Sequence, residues 1–227
     1  MSDVYSDPSS FHGRVYTWMR NPQRTREELP PEIKPHWDLQ YIDDGSVRHT
    51  LDLYLPATRA GKPLPLIVFI HGGGWRGGSK VYCPAVPLVA DGYAVASIHY
   101  RFSDEAVFPA QIQDCLAAIR WLRANSAKHH LDPARFGAWG MSAGGHLVAL
   151  LGAAMIEHKF PKVGGNENQS ARVRAVVNMH GPVDLSRIKS HIRTNTAVKN
   201  EFDMEGMGNP FAKLIGEMSD GMPPSAS

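Results

Sequence analysis

The stretch RFGAWGMSAGGHLVALL, residues 135 to 151, sets Ser142 between a strand pattern and a helix pattern, with glycines on both sides. Few backbones accommodate it. A G-x-S-x-G sequence at a strand-to-helix junction is the nucleophile-elbow pattern, a sharp and strained turn. Gly140 and Gly144 let the helix pack close to the strand, and the strain lifts the Ser142 hydroxyl clear of the backbone. The free N–H groups at the start of the following helix point to the same place and favour developing negative charge.

The surrounding chain repeats this alternation of strand and helix. Residues 1–36 are polar and irregular, with ELPPEIKP blocking any long helix, and read as an extension ahead of a domain spanning 37–227. WDLQYID (37–43) and HTLDLYL (49–55) alternate apolar and polar residues as half-buried strands do, and the DDGS between them suggests a hairpin. LPLIVFIH (64–71) and GYAVASIHY (92–100) are more continuously apolar, as expected of strands covered on both faces. From Pro109 to about His130 the residues Ile112, Cys115, Leu116, Ile119 and Leu122 recur at helical spacing. DPARFGAWG leads into another strand, AGGHLVALLGAAMIEH into a helix, and RVRAVVNMH (172–180) is the last good strand. The pattern predicts an α/β domain with a mainly parallel sheet.

A second motif, His71-Gly72-Gly73-Gly74-Trp75, directly follows the strand PLIVFI. Backbone N–H groups in an H-G-G-G turn serve as oxyanion-hole donors. They work because they are preset where charge develops on a carbonyl oxygen, and glycines let the backbone approach.

Together HGGGW, YRFSDEAVFPAQIQDCLAAIRWL and DPARFGAWGMSAGGHL resemble the α/β-hydrolase esterases and lipases of the hormone-sensitive-lipase and feruloyl-esterase-like group, over roughly residues 37–220. The resemblance implies an α/β-hydrolase core, a mainly parallel twisted sheet with helices on both faces. It implies Ser142 as nucleophile, the N–H groups of Gly73, Gly74 and Ala143 as the oxyanion hole, carboxylic esters as small-molecule substrates, and no cofactor or metal. HGGGW is also similar to arylformamidases of the same fold. Those usually carry a tyrosine before the tryptophan, where this chain has Gly74, which weighs mildly against an amide substrate.

In this fold the acid and the histidine of the triad follow the serine in chain order. The resemblance puts them after a seventh and an eighth strand, whereas the strand at 172–180 looks like the sixth. The expectation is a core lacking its last two strands, with both partners of Ser142 absent, little serine-dependent turnover, and an open apolar sheet edge that favours self-association. A non-catalytic fragment is the rival reading. Of the downstream histidines, His146 reads as packing, His158 as out of reach, and His180 as the best placed because it ends a strand. His191 falls in a loop without assignment. Asp184 is expected in a structural turn, and Asp114 with Arg101 in a structural polar network.

Composition excludes other classes. The net charge is +2 with the basic residues scattered, so no nucleic-acid footprint is visible. Cys83 and Cys115 are the only cysteines, too few for a disulfide framework or a zinc spacing. No signal-like apolar stretch opens the chain and PLIVFI is too short to span a bilayer, so a cytoplasmic protein is expected.

Overall fold

The computed structural model describes residues 29–58, 61–153, 156–185, 187 and 214–215. Strand β1 (Ile33–Gln40) turns through a 3-10 helix, Val47–His49, into β2 (Thr50–Pro56). Then come β3 (Leu64–Ile70), a 3-10 helix Val86–Asp91, β4 (Ala94–Ile98), helix α1 (Ala110–Ala124) and the single turn α2 (Ser126–His129). The long strand β5 (Leu131–Met141), helix α3 (Ala143–Gly152), a 3-10 turn Ile156–His158 and β6 (Ala175–Met179) follow among the described residues.

The strands form one sheet in the order β1-β2-β4-β3-β5-β6. The pairs β1/β2 and β2/β4 are antiparallel, and β4/β3, β3/β5 and β5/β6 are parallel. The α/β fold with a mixed, mainly parallel sheet is therefore present. β3 and β5 lie side by side with Ile70 opposite Gly140, which brings the two glycine-rich motifs to the same strand ends.

Alternation along the strands sends apolar side chains to both faces. On one face Leu51, Leu53, Val68, Ile70, Ala96 and Ile98 pack with Ile112, Leu116 and Ile119 of α1 and with Leu147 and Val148 of α3. This is the face for which the 3.6-residue spacing in α1 was built. On the other, Tyr54, Phe69, Val95 and Trp139 meet Val86 and Val89. Helices are expected on both faces; among the described residues the second face carries the 3-10 helix Val86–Asp91 rather than an α-helix. No helix among the described residues is long and apolar enough to cross a membrane.

The first strand starts earlier than the sequence suggests. β1 begins at Ile33 and includes Pro35, so the last residues of the expected extension belong to the sheet. Proline is tolerated there because β1 is an edge strand, where one side of the ladder needs no donor. At the opposite edge Val176 and Val177 of β6 are 38% and 53% exposed. Residues 1–28 and His191 lie outside the described residues, as does the tail read as leading to a seventh strand, apart from Leu214 and Ile215.

A polar knot ties the hairpin to α1. Asp114, fully buried, accepts hydrogen bonds from the backbone N–H and the guanidinium of Arg101, as expected of a structural network. It also faces His49 Nε2 at 3.4 Å, while Asp44 Oδ2 lies 2.7 Å from His49 Nδ1. Burial disfavours the imidazolium, yet the carboxylates of Asp114 and Asp44 outweigh it and raise the His49 pKa. A raised native pKa gives stability that is complete below the unfolded value, about 6.5, and is lost as the pH rises through the native one. Replacing His49 by glutamine should therefore lower the thermal midpoint more at pH 6 than at pH 9. An equal loss at both pH values would mean that His49 contributes packing and no charge.

Candidate active site

β5 ends at Met141, and the next residue must reverse the chain into α3 within one peptide. Ser142 does so at φ 51° and ψ −119°, a conformation that L-residues rarely hold. Two backbone bonds keep it there. Its N–H donates to Met179 O at 2.9 Å, and its C=O accepts from His146 N at 3.0 Å.

The glycines explain why the turn is open to this geometry. A Cβ on Gly144 would lie 2.0 Å from Ile70 O, and one on Gly140 would lie 2.1 Å from Gly144 O. Helix α3 therefore rests directly on the ends of β3 and β5. Gly145 and Gly181 form a further close approach that the motif leaves out: their added Cβ atoms would lie 2.5 Å from Asn178 Oδ1 and 2.3 Å from Gly145 C, respectively. The doubled glycine in SAGG is its trace in the sequence.

The His71-to-Trp75 turn passes against the serine. A Cβ on Gly72 would sit 3.2 Å from Ser142 Cβ and 2.8 Å from Met141 O. Among the described residues, no acceptor takes the N–H of Gly73, Gly74 or Ala143. His71 is 2% exposed, and its ring stacks on Tyr100 at a centroid distance of 4.6 Å. Burial pulls its pKa down to about 4, so the ring is neutral near pH 7 and Nδ1–H donates to Gly72 O at 2.8 Å. The Tyr100 hydroxyl donates to His71 O at 3.0 Å. His71 thus stiffens the turn, and among the described residues no hydrogen bond joins its ring to Ser142.

The other candidates separate cleanly. His146, one helical turn beyond Ser142, meets the Trp75 ring edge-on at 5.3 Å. Burial also pulls its pKa to about 4, in keeping with a packing role. His158 is exposed on the 3-10 turn after α3. His180 is exposed beyond β6, with φ 45°. Among the described residues no side chain bonds the Ser142 hydroxyl. Asp184 accepts from Arg187 N at 3.2 Å, as in a structural turn. No group of three His, Cys, Asp or Glu among the described residues could hold a metal ion.

The chain is similar to known proteins in sequence and in fold. The BD-FAE family model matches residues 51–220. Esterase LipC of Mycobacterium tuberculosis is 34% identical over 147 residues, which are 63% of this chain and 36% of LipC. Carboxylesterase NlhH of the same organism is 35% identical over 130 residues, 55% of this chain and 40% of NlhH. The chain thus spans well under half the length of these curated relatives. A solved structure described as a truncated form of carbohydrate esterase from gut microbiota superposes with a TM-score of 0.68 at 33% identity, covering 81% of this chain and 65% of that one.

Substituting alanine for Gly144 drives a methyl into backbone oxygen, which no rotamer relieves. The expected loss is about 3 kcal/mol, read as a shift in urea midpoint. A loss below about 1 kcal/mol would show that α3 does not rest on β3 this closely.

Proposed function

The chain belongs to the BD-FAE family of α/β-hydrolase esterases, and from that premise we propose that it hydrolyses carboxylic esters through an acyl-enzyme on Ser142. The observation that carries the reading is the strained Ser142 at the end of β5 with the backbone of Gly72 pressed against it. In this reading Ser142 Oγ attacks the ester carbonyl carbon. The oxygen, now negative, is held by the N–H groups of Gly73, Gly74 and Ala143, and collapse of the adduct expels the alcohol. Water then hydrolyses the acyl-serine. The helix dipole of α3 adds to the stabilisation, because its N-terminus begins at Ala143. His71, Gly72, Gly140 and Gly144 shape the turns and take no part in the chemistry.

The hydroxyl proton needs a base, and among the described residues no histidine side chain bonds the Ser142 hydroxyl. That observation favours a second form of the reading, in which these 227 residues bind esters at a formed oxyanion site and turn them over slowly. An oxyanion hole and binding alone retain roughly 10³- to 10⁴-fold catalysis over water when a triad member is lost.

Hydrolysis of p-nitrophenyl acetate by the 227-residue protein and by its Ser142→Ala variant separates the two. Acyl-enzyme chemistry predicts a loss of about 10³-fold or more in kcat for the variant. Equal rates above the buffer blank would leave only the slow form. Equal rates at the blank would overturn ester hydrolysis by this polypeptide.

A further inference from the structure

The turn that carries Gly73 and Gly74 is costly to hold. Gly73, Gly74 and Trp75 have φ values of 116°, 61° and 57° in succession. A tryptophan in the left-handed region costs about 1–2 kcal/mol, so the surroundings must impose the conformation. Near the turn, Ser103 N donates to Trp75 O at 2.7 Å and Tyr100 holds His71 O.

At the far end of the same loop stands Lys80, a lysine only 2% exposed. Its Nζ donates to Asp52 Oδ1 in β2 and to Asp38 Oδ1 in β1, both at 2.5 Å. Asp52 is fully buried, and its Oδ1 also accepts the Asp38 N–H at 3.0 Å. Asp38 occupies the irregularity of β1 between His36 and Leu39, at φ 53°. Two outer strands thus converge on one ammonium. A buried ion pair adds little net stability compared with apolar side chains of similar volume. What it does add is direction: two charge-assisted contacts hold the end of the loop in one place, and the Asp38 N–H bond ties their acceptors together.

Gly78 passes that position on to the turn. A Cβ there would lie 2.3 Å from Gly72 O and 2.4 Å from His71 Nδ1, so the loop end and the turn are in backbone contact. We propose that Lys80, clamped between Asp52 and Asp38, is a positioning residue that presses the 71–80 loop into place and so aims the Gly73 and Gly74 N–H groups at the oxyanion. The inference rests on the esterase reading for its catalytic meaning and on the loop contacts for its structural one.

The test uses the full chain with the double variant Lys80→Met/Asp52→Asn, which removes the buried charges together, and with Asp38→Asn. The Asp38 side chain is 55% exposed, so that variant loses one contact without stranding a buried group. Two readouts are taken: kcat and KM on p-nitrophenyl acetate, and amide hydrogen exchange of peptides covering residues 71–80 and 131–141. The double variant should lose about 10- to 100-fold in kcat with KM within about twofold, and exchange faster in the loop while β5 keeps its protection. Asp38→Asn should move both readouts the same way by less, about threefold to tenfold in kcat. Unchanged loop exchange in both variants would overturn the clamp. Faster loop exchange with unchanged kcat, in a protein whose turnover depends on Ser142, would overturn its positioning role. Turnover indifferent to Ser142→Ala would instead sink the acyl-enzyme reading, and the exchange data would still decide the clamp.

Discussion

The packing of α3 onto the ends of β3 and β5 at backbone distance governs the rest of the site. Gly140 and Gly144 leave no room for a side chain between helix and sheet. With the helix set so low, the chain leaving Met141 has one residue in which to turn, and that residue is forced to φ 51°. The same closeness brings the first turn of the helix to the level of the Gly72 backbone. Serine, helix N-terminus and glycine turn therefore share one origin, the absence of Cβ atoms at a few positions.

Most of this is legible in the sequence because it is local. G-x-S-x-G and H-G-G-G carry their geometry within a few residues, and strands β2 to β6 and both long helices follow from apolar spacing. The start of β1 is not legible, because Pro35 reads as a breaker until its place at the sheet edge is known. Nor is the thin cover of the second face, since a 3-10 turn such as Val86–Asp91 has no long periodicity. The proposed oxyanion donors stand apart from all of these: their role depends on a substrate geometry that residue types alone do not describe.

Long-range charges were hidden for the same reason. Asp52 alternates into the sheet face like any strand residue, and nothing in LDLY announces a lysine 28 positions later as its partner. His49 likewise reads as the first residue of a strand, yet it joins the hairpin carboxylate of Asp44 to Asp114 of α1. Both clusters sit where the antiparallel strands meet the parallel part of the sheet. They fix the outer hairpin against the loops that follow β3 and β4, so the electrostatics serve orientation more than net stability.

The bond from Ser142 N to Met179 O has a consequence for how the molecule is assembled. Met179 belongs to β6, and the carbonyls under Gly144 belong to β3, so the chain that shapes the serine runs from residue 64 to residue 179. Parallel neighbours this far apart in sequence pay loop-closure entropy before any contact repays it. A nascent chain holding the motif but not yet β6 lacks the acceptor for the Ser142 N–H. The Ser142 geometry is thus a property of the assembled sheet, and it comes into being only when β6 has docked.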